Sequence, residues 1–198
     1  MEQRADFAHH RGERQESGVG PENLAKRRNS LAVRLKSGDR QAAAELVDRY
    51  YEQIYLFMRR LGHNCTVSED LTQESFLQAW QHIGQLRNDG SLNSWVYHIA
   101  GNVSRLYWRK HKGREEASID GFDVPDDRQG EGRIGDFEQY QRLREAIGRL
   151  GWEHRQAVVL HYMQHLTISE AAESVGVREG TFKSRLNRAL KRLRKQMG

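Results

Sequence analysis

A single cysteine, Cys65, stands in the 198 residues. It excludes an internal disulfide and any cysteine-based zinc finger, and it fits a reducing compartment. Only two prolines occur, Pro21 and Pro125, so long uninterrupted helices are permitted nearly everywhere. No apolar run approaches the roughly 20 residues a bilayer span requires, and the first residues are polar and charged, unlike a secretory signal. The expectation is a cytoplasmic protein without membrane insertion. Strand-like alternation is also missing, which leaves an all-α reading. After Glu179 there is no acidic residue at all.

What is present is cation, unevenly placed. The formal charge is +5, yet residues 113–137 hold eight acids against three bases. Two basic stretches therefore flank an acidic connector, the electrostatic footprint of a nucleic-acid partner. Residues 1–22, poor in apolar side chains and ending near Gly-Val-Gly-Pro, read as a disordered tail. Residues 23–112 read as one helical domain of four helices, with breaks at Ser37–Asp39, Leu61–Thr66 and Arg87–Ser91. Residues 113–137, with Gly, Asp, Glu and Pro125, read as a flexible linker. Residues 138–198 read as a second helical domain, its first two helices near Glu138–Leu150 and Glu153–Gln164.

The C-terminal segment carries seven Lys or Arg between Lys183 and Lys195. At 100° per residue Phe182, Leu186, Ala189, Leu190, Leu193 and Met197 fall on one stripe, and the cations cover the remainder. Upstream, Thr167-Ile-Ser-Glu170 is a capping box, Ala171 and Ala172 permit close approach, and Gly176 ends the helix. A short helix, a glycine turn and a basic second helix form a helix-turn-helix, whose second helix enters a DNA major groove by its N-terminal end.

The third helix of the first domain is expected to open on a second capping box, Thr66 to Glu69. It places Phe76, Ala79, Trp80 and Ile83 on one face and Asp70, Glu74, Gln78 and Gln81 on the other. That acidic, amide-rich ridge suits a protein docking surface, or simply solvation. The fourth helix buries Trp95, Ile99, Val103 and Leu106, flanked by Val96, Ala100 and Tyr107. Its outer face should display Tyr97, Ser104, Arg105, Trp108 and Lys112, aromatics among cations as single-stranded bases require for stacking. Packing of Tyr97 and Trp108 on a neighbouring helix is the bland alternative. His161 and His165 share a helix face, but no third ligand or catalytic Glu stands at metalloprotease spacing, so neither metal nor cofactor is expected.

The segments "EDLTQESFLQAW", "LNSWVYHIAGNVSRLYWRKHK" and "LGWEHRQAVVLHYMQHLTISEAAESVGVREGTFKSRLNRALKRLR" resemble the extracytoplasmic-function sigma factors of the sigma-70 family of bacteria, over residues 35–198. The resemblance implies region 2 in the first domain and region 4 in the second. It implies no enzymatic activity, and as partners core RNA polymerase, promoter DNA as duplex and melted strand, and an anti-sigma factor. Asp70, Gln73, Glu74 and Gln78 then inherit polymerase docking. The loop with Asn88, Asp89, Gly90, Ser91 and Asn93 inherits capture of a flipped minus-ten base, where a pocket must return the few kcal/mol of unstacking. Tyr97, Arg105, Trp108, Arg109 and Lys112 follow the strand. Arg178, Glu179, Thr181, Lys183, Ser184, Arg185 and Arg188 inherit the minus-thirty-five element. The chain departs from the family in Leu106, where many members have Asp, and in keeping only Trp95 of the tryptophan pair that melts promoters in primary sigma factors. Weak intrinsic melting and strict promoter choice follow by resemblance. The rivals are a stand-alone helix-turn-helix regulator and a protein-binding scaffold or anti-sigma-like factor.

Overall fold

The computed structural model describes residues 30–111 and 134–197. Among them every regular element is helical. The first described residue is Ser30, whose hydroxyl accepts from the Val33 N–H at 3.4 Å and opens α1 (Leu31–Lys36). Gly38 then turns the chain at φ +79°, a left-handed conformation natural to glycine. Asp39 caps α2 (Arg40–Arg60) by accepting from the Gln41 N–H at 2.8 Å. The Ser-Gly-Asp break is thus one helix end, one turn and one cap.

Helix α2 buries Ala42, Leu46, Tyr50, Ile54, Phe57 and Met58, a stripe spaced by three and four residues. Gly62, at φ +100°, ends it. Helix α3 (Cys65–His82) begins earlier than the expected Thr66–Glu69 box, because Asn64 is the cap and accepts from the Val67 N–H at 2.8 Å. Asparagine is as strong a cap as threonine, and it comes first after the turn. Two short 3-10 turns, at 83–85 and 89–91, lead into α4 (Leu92–His111).

The second group starts with α5 (Ile134–Gly148), four residues before the expected Glu138. Residues 134–137 of the expected linker therefore belong to this helix, and the rest of the linker, like the expected tail, lies outside the described residues. Helix α6 (Trp152–Val158) runs into a π-helical turn, Val159–Met163. Helix α7 (Ile168–Ser174) opens on the anticipated capping box: Thr167 Oγ1 accepts from the Glu170 N–H at 3.2 Å while the Glu170 carboxylate accepts from the Thr167 N–H at 2.9 Å. Gly176, at φ +68°, makes the turn into α8 (Glu179–Met197). The basic helix buries Phe182, Leu186, Ala189 and Leu193, while Met197 at the end of the stripe is exposed.

The two helical groups pack directly on each other, with α7 lying on α4. One continuous core joins Leu35 and Phe57 to Leu160 and Phe182. Polar bonds fix the seam. Arg60 Nη1 donates to the Met163 carbonyl at 2.6 Å, and His98 Nδ1 donates to the Ser174 carbonyl at 2.9 Å. Gln164 faces the Tyr97 hydroxyl at 2.9 Å; with its NH2 turned to that hydroxyl, its carbonyl accepts from the Phe57 N–H and from Arg60 at 3.2 Å each. Arg155 Nη1 donates to the Leu61 carbonyl at 2.9 Å, and its Nη2 donates to the carbonyls of Gly148 and Leu150. One guanidinium thus serves the carbonyls left over at the ends of α2 and α5. Burial lowers the Arg155 pKa to about 10, which leaves it charged at neutral pH.

Candidate nucleic-acid interface

On α3 the inner side is built from Phe76 and Ala79, continued by Ile83 in the 3-10 turn that follows. Two hydroxyls share that side without cost, since Thr72 donates to the Ser68 carbonyl at 2.7 Å and Ser75 to the Leu71 carbonyl at 2.6 Å. Opposite them Asp70, Gln73 and Glu74 are exposed and Gln78 is half-buried. Gln78 Nε2 donates to Glu74 Oε1 at 2.7 Å, so the ridge is ordered along the helix. Leu77, 52 % exposed, lies in the same row. On α2, Tyr51 is also exposed and stacks on Phe76 with ring centroids 6.4 Å apart. These apolar additions escaped sequence reading, although Leu77, three residues after Glu74, already broke the polar face.

The loop before α4 is held from both sides. Asn88 Oδ1 accepts from the Gly90 N–H at 3.0 Å. Asp89 pairs with Lys36 of α1 at 2.5 Å, a partner 53 residues away that no local pattern could reveal. Asn88, Asp89 and Gly90 are exposed and Ser91 is half-buried. Asn93 is half-buried as well, with its side chain against the Glu170 carboxylate. That carboxylate is held below the usual range chiefly by the Thr167 hydroxyl and backbone, with a smaller contribution from Asn93.

Helix α4 requires the main correction. Tyr97, expected on an outer face, is 2 % exposed. It meets the Phe57 ring edge-on at 5.3 Å and puts its hydroxyl on Gln164; burial raises its pKa. Ser104 is buried too, its Oγ 2.6 Å from His63 Nε2. Trp108 is half-buried and stacked on His63 at 5.0 Å, and its indole N–H is buried without a hydrogen-bond partner. Leu106, expected inside, is 44 % exposed. A wheel drawn for one buried stripe fails because α4 is covered on two sides, by α3 and by α7. Arg105 and Arg109 do face solvent; Lys112 lies outside the described residues.

Beneath Trp108, His63 is buried and its pKa falls to about 3, first through desolvation and then through the Arg155 charge. It is a neutral ring between Ser104 and two aromatics. Nothing in its local sequence marked it.

Helix α8 presents Glu179, Thr181, Lys183, Ser184 and Arg188 to solvent, and Arg178 just before it is exposed as well. Glu179 and Lys183 pair at 3.5 Å along the helix, and Ser184 donates to the Gly180 carbonyl at 3.0 Å. Arg185 differs: it is partly buried and paired with Glu153 of α6 at 3.1 Å. Together with Arg105, Asn102, His98 and Gln156 it lines a cleft of about 120 Å³ between the two groups. Across that cleft runs a chain of bonds, Arg105 to Asn102 Oδ1 at 3.1 Å, the Asn102 amide to His98 Nε2 at 2.9 Å, and His98 to Ser174.

Among the described residues no helix is long and apolar enough to cross a membrane, and no three ligating side chains converge as a metal site. The arrangement offers an acidic ridge, an exposed amide-bearing loop and a cationic helix.

Two family descriptions match separate stretches of the chain. The description "Sigma-70 region 2" matches residues 46–114, and "Sigma-70, region 4" matches residues 140–193. The ECF RNA polymerase sigma factor SigW of Bacillus subtilis is 30 % identical over 173 residues, covering 82 % of this chain and 92 % of its own. SigM of Mycobacterium tuberculosis is 32 % identical over 163 residues, covering 82 % and 80 %. Among solved structures, the sigma factor RpoE of Bartonella quintana, in complex with the anti-sigma factor NepR, is similar with a TM-score of 0.59 and 25 % identity, covering 78 % of this chain and 95 % of that one. CnrH in complex with the cytosolic domain of CnrY shares the fold, with a TM-score of 0.63 at 23 % identity, covering 83 % and 93 %.

Proposed function

The chain belongs to the extracytoplasmic-function RNA polymerase sigma factors, and from that premise we propose how its residues divide the work. It is an alternative sigma factor that binds core RNA polymerase and directs promoter-specific transcription initiation. The family consists of initiation factors; this member acts in the cytoplasm as a binding protein without chemistry of its own. An anti-sigma factor, as in the RpoE–NepR complex, is a partner of this chain too.

Residues 23–112 dock on polymerase and read the minus-ten element, and residues 138–198 read the minus-thirty-five element, with 113–137 between them. Asp70, Gln73, Glu74 and Gln78 form the docking ridge, and exposed Leu77 and Tyr51 add apolar area to it. Asn88, Asp89, Gly90, Ser91 and Asn93 take the flipped base, with the Lys36–Asp89 pair fixing the loop's shape. Arg105 and Arg109 contact phosphates. Trp108 holds its place through His63. On α8 and just before it, Arg178, Glu179, Thr181, Lys183 and Ser184 face base edges and Arg188 the backbone; base contacts specify and phosphate contacts position. The single observation that carries this reading is the exposed cationic N-terminal half of α8, set on a capped helix-turn-helix.

The test is reconstituted transcription with bacterial core polymerase across a promoter library, comparing the wild type with a Gln73→Ala, Glu74→Ala double variant. Wild type is expected to produce new start sites, and the variant to lose retention on core enzyme by at least tenfold while keeping its own duplex affinity. Specific, polymerase-independent binding to an operator would instead favour a stand-alone regulator.

A further inference from the structure

Leu106 stands apart from the other large apolar side chains of α4. Ile99 and Val103 are buried and Trp95, Tyr107 and Trp108 are half-buried, whereas Leu106 is 44 % exposed. Its surface neighbours are cations. Arg105 precedes it, and Arg109 and Lys110, three and four residues on, lie beside it on the helix surface; all three are exposed. Arg105 is also aimed, because its Nη2 donates to Asn102 Oδ1 at 3.1 Å while the Asn102 amide meets His98 Nε2 at 2.9 Å. Helix α4 holds no acidic residue to answer these charges. The face therefore suits a polyanion, yet an apolar group stands at its centre.

A leucine can neither donate to nor accept from a base edge, and pressed against a ring nitrogen, a carbonyl or an amine it would leave that group unpaired. Only one major-groove edge group is apolar, the C5 methyl of thymine. We propose that Leu106 is a specificity-determining residue for the minus-ten element, selecting thymine at one position by covering its methyl while Arg105, Arg109 and Lys110 hold the flanking phosphates. This role rests on the sigma-factor reading above. Leu106 lies 13 positions after Asn93, roughly 20 Å along the helix, so its thymine is a different nucleotide from the flipped base. An aspartate at 106 would act in the opposite sense, accepting from the cytosine amine and repelling phosphate. The methyl belongs to the base in duplex and melted strand alike, so the preference survives opening.

The test uses the full chain on bacterial core polymerase and a promoter recovered from the library. Each thymine of the minus-ten element, on either strand, is replaced in turn by deoxyuridine, which differs only in lacking the methyl, and initiation is measured. Wild type is expected to lose about fourfold at one position, the worth of one buried methyl. Leu106→Ala should lose a similar factor on the thymine template and no longer distinguish thymine from uridine there. Leu106→Met, apolar and of similar volume, should keep the distinction. A minus-ten element in which the wild type tolerates uridine everywhere, or a methyl effect that persists in full in Leu106→Ala, overturns the proposal. Failure of the wild type to initiate on any unmodified template would instead defeat the functional reading itself.

Discussion

Arg155 of α6 reaches 94 residues back along the chain to donate to the Leu61 carbonyl, at 2.9 Å, where α2 has just ended. The same guanidinium bonds the carbonyls of Gly148 and Leu150 at the end of α5. Its replacement by Ala strands buried acceptors in both halves, each costing about 1–3 kcal/mol. Arg155→Ala is expected to lower stability by about 3 kcal/mol in urea unfolding. Lys, with one donor centre in place of a planar fork, should recover only part.

His63 makes stability depend on pH. Its folded pKa is about 3, against about 6.5 in an unfolded chain, so between these values the unfolded state binds the extra proton. Stability from this residue is therefore complete above about pH 6.5 and falls by about 1.4 kcal/mol per pH unit as pH drops through the window. Denaturant unfolding from pH 7 to pH 4 should show that slope in wild type. His63→Gln should remove it, and a slope unchanged in the variant would assign it to other groups.

The cap of α7 offers a smaller and cleaner effect. Thr167→Ala removes the acceptor for the Glu170 N–H and a hydroxyl that bonds the Glu170 carboxylate at 2.7 Å. A loss of about 1 kcal/mol is expected, read as a shift in the urea midpoint without change in slope.

DNA binding by α8 should separate its arginines. Arg188 is exposed, whereas Arg185 is partly buried against Glu153. Arg188→Ala is expected to weaken duplex binding about equally across sequences and to reduce the log–log salt slope by about 1. Arg185→Ala should change that slope by less, since its charge is already answered within the protein. Titrations between 50 and 300 mM salt decide the order.

Much was legible locally. The Thr167–Glu170 box, the Gly176 turn and the Phe182–Leu186–Ala189–Leu193 stripe are set by residues within a few positions of one another, and each stands where the sequence put it. Asn64 taking the cap of α3 from Thr66 shows the limit of such reading: two neighbouring signals were equally good, and the nearest to the Gly62 turn prevailed. The ridge on α3 was legible because one face of that helix is buried and the other open. On α4 the same wheel misplaced Tyr97 and Ser104, because a helix covered twice has two inward faces and a periodic pattern records only their sum.

Local spacing, caps and charge by themselves determined an all-helical chain with a basic helix-turn-helix at one end and an acidic ridge in the other half. Tertiary structure alone decided that α7 would lie on α4, that His63 would be a neutral buried ring, and that Lys36 would hold Asp89 and Arg155 would hold Leu61. Those pairings join residues tens of positions apart. Their free energy comes from desolvated contacts between separate elements, which leave no period in the sequence that forms them.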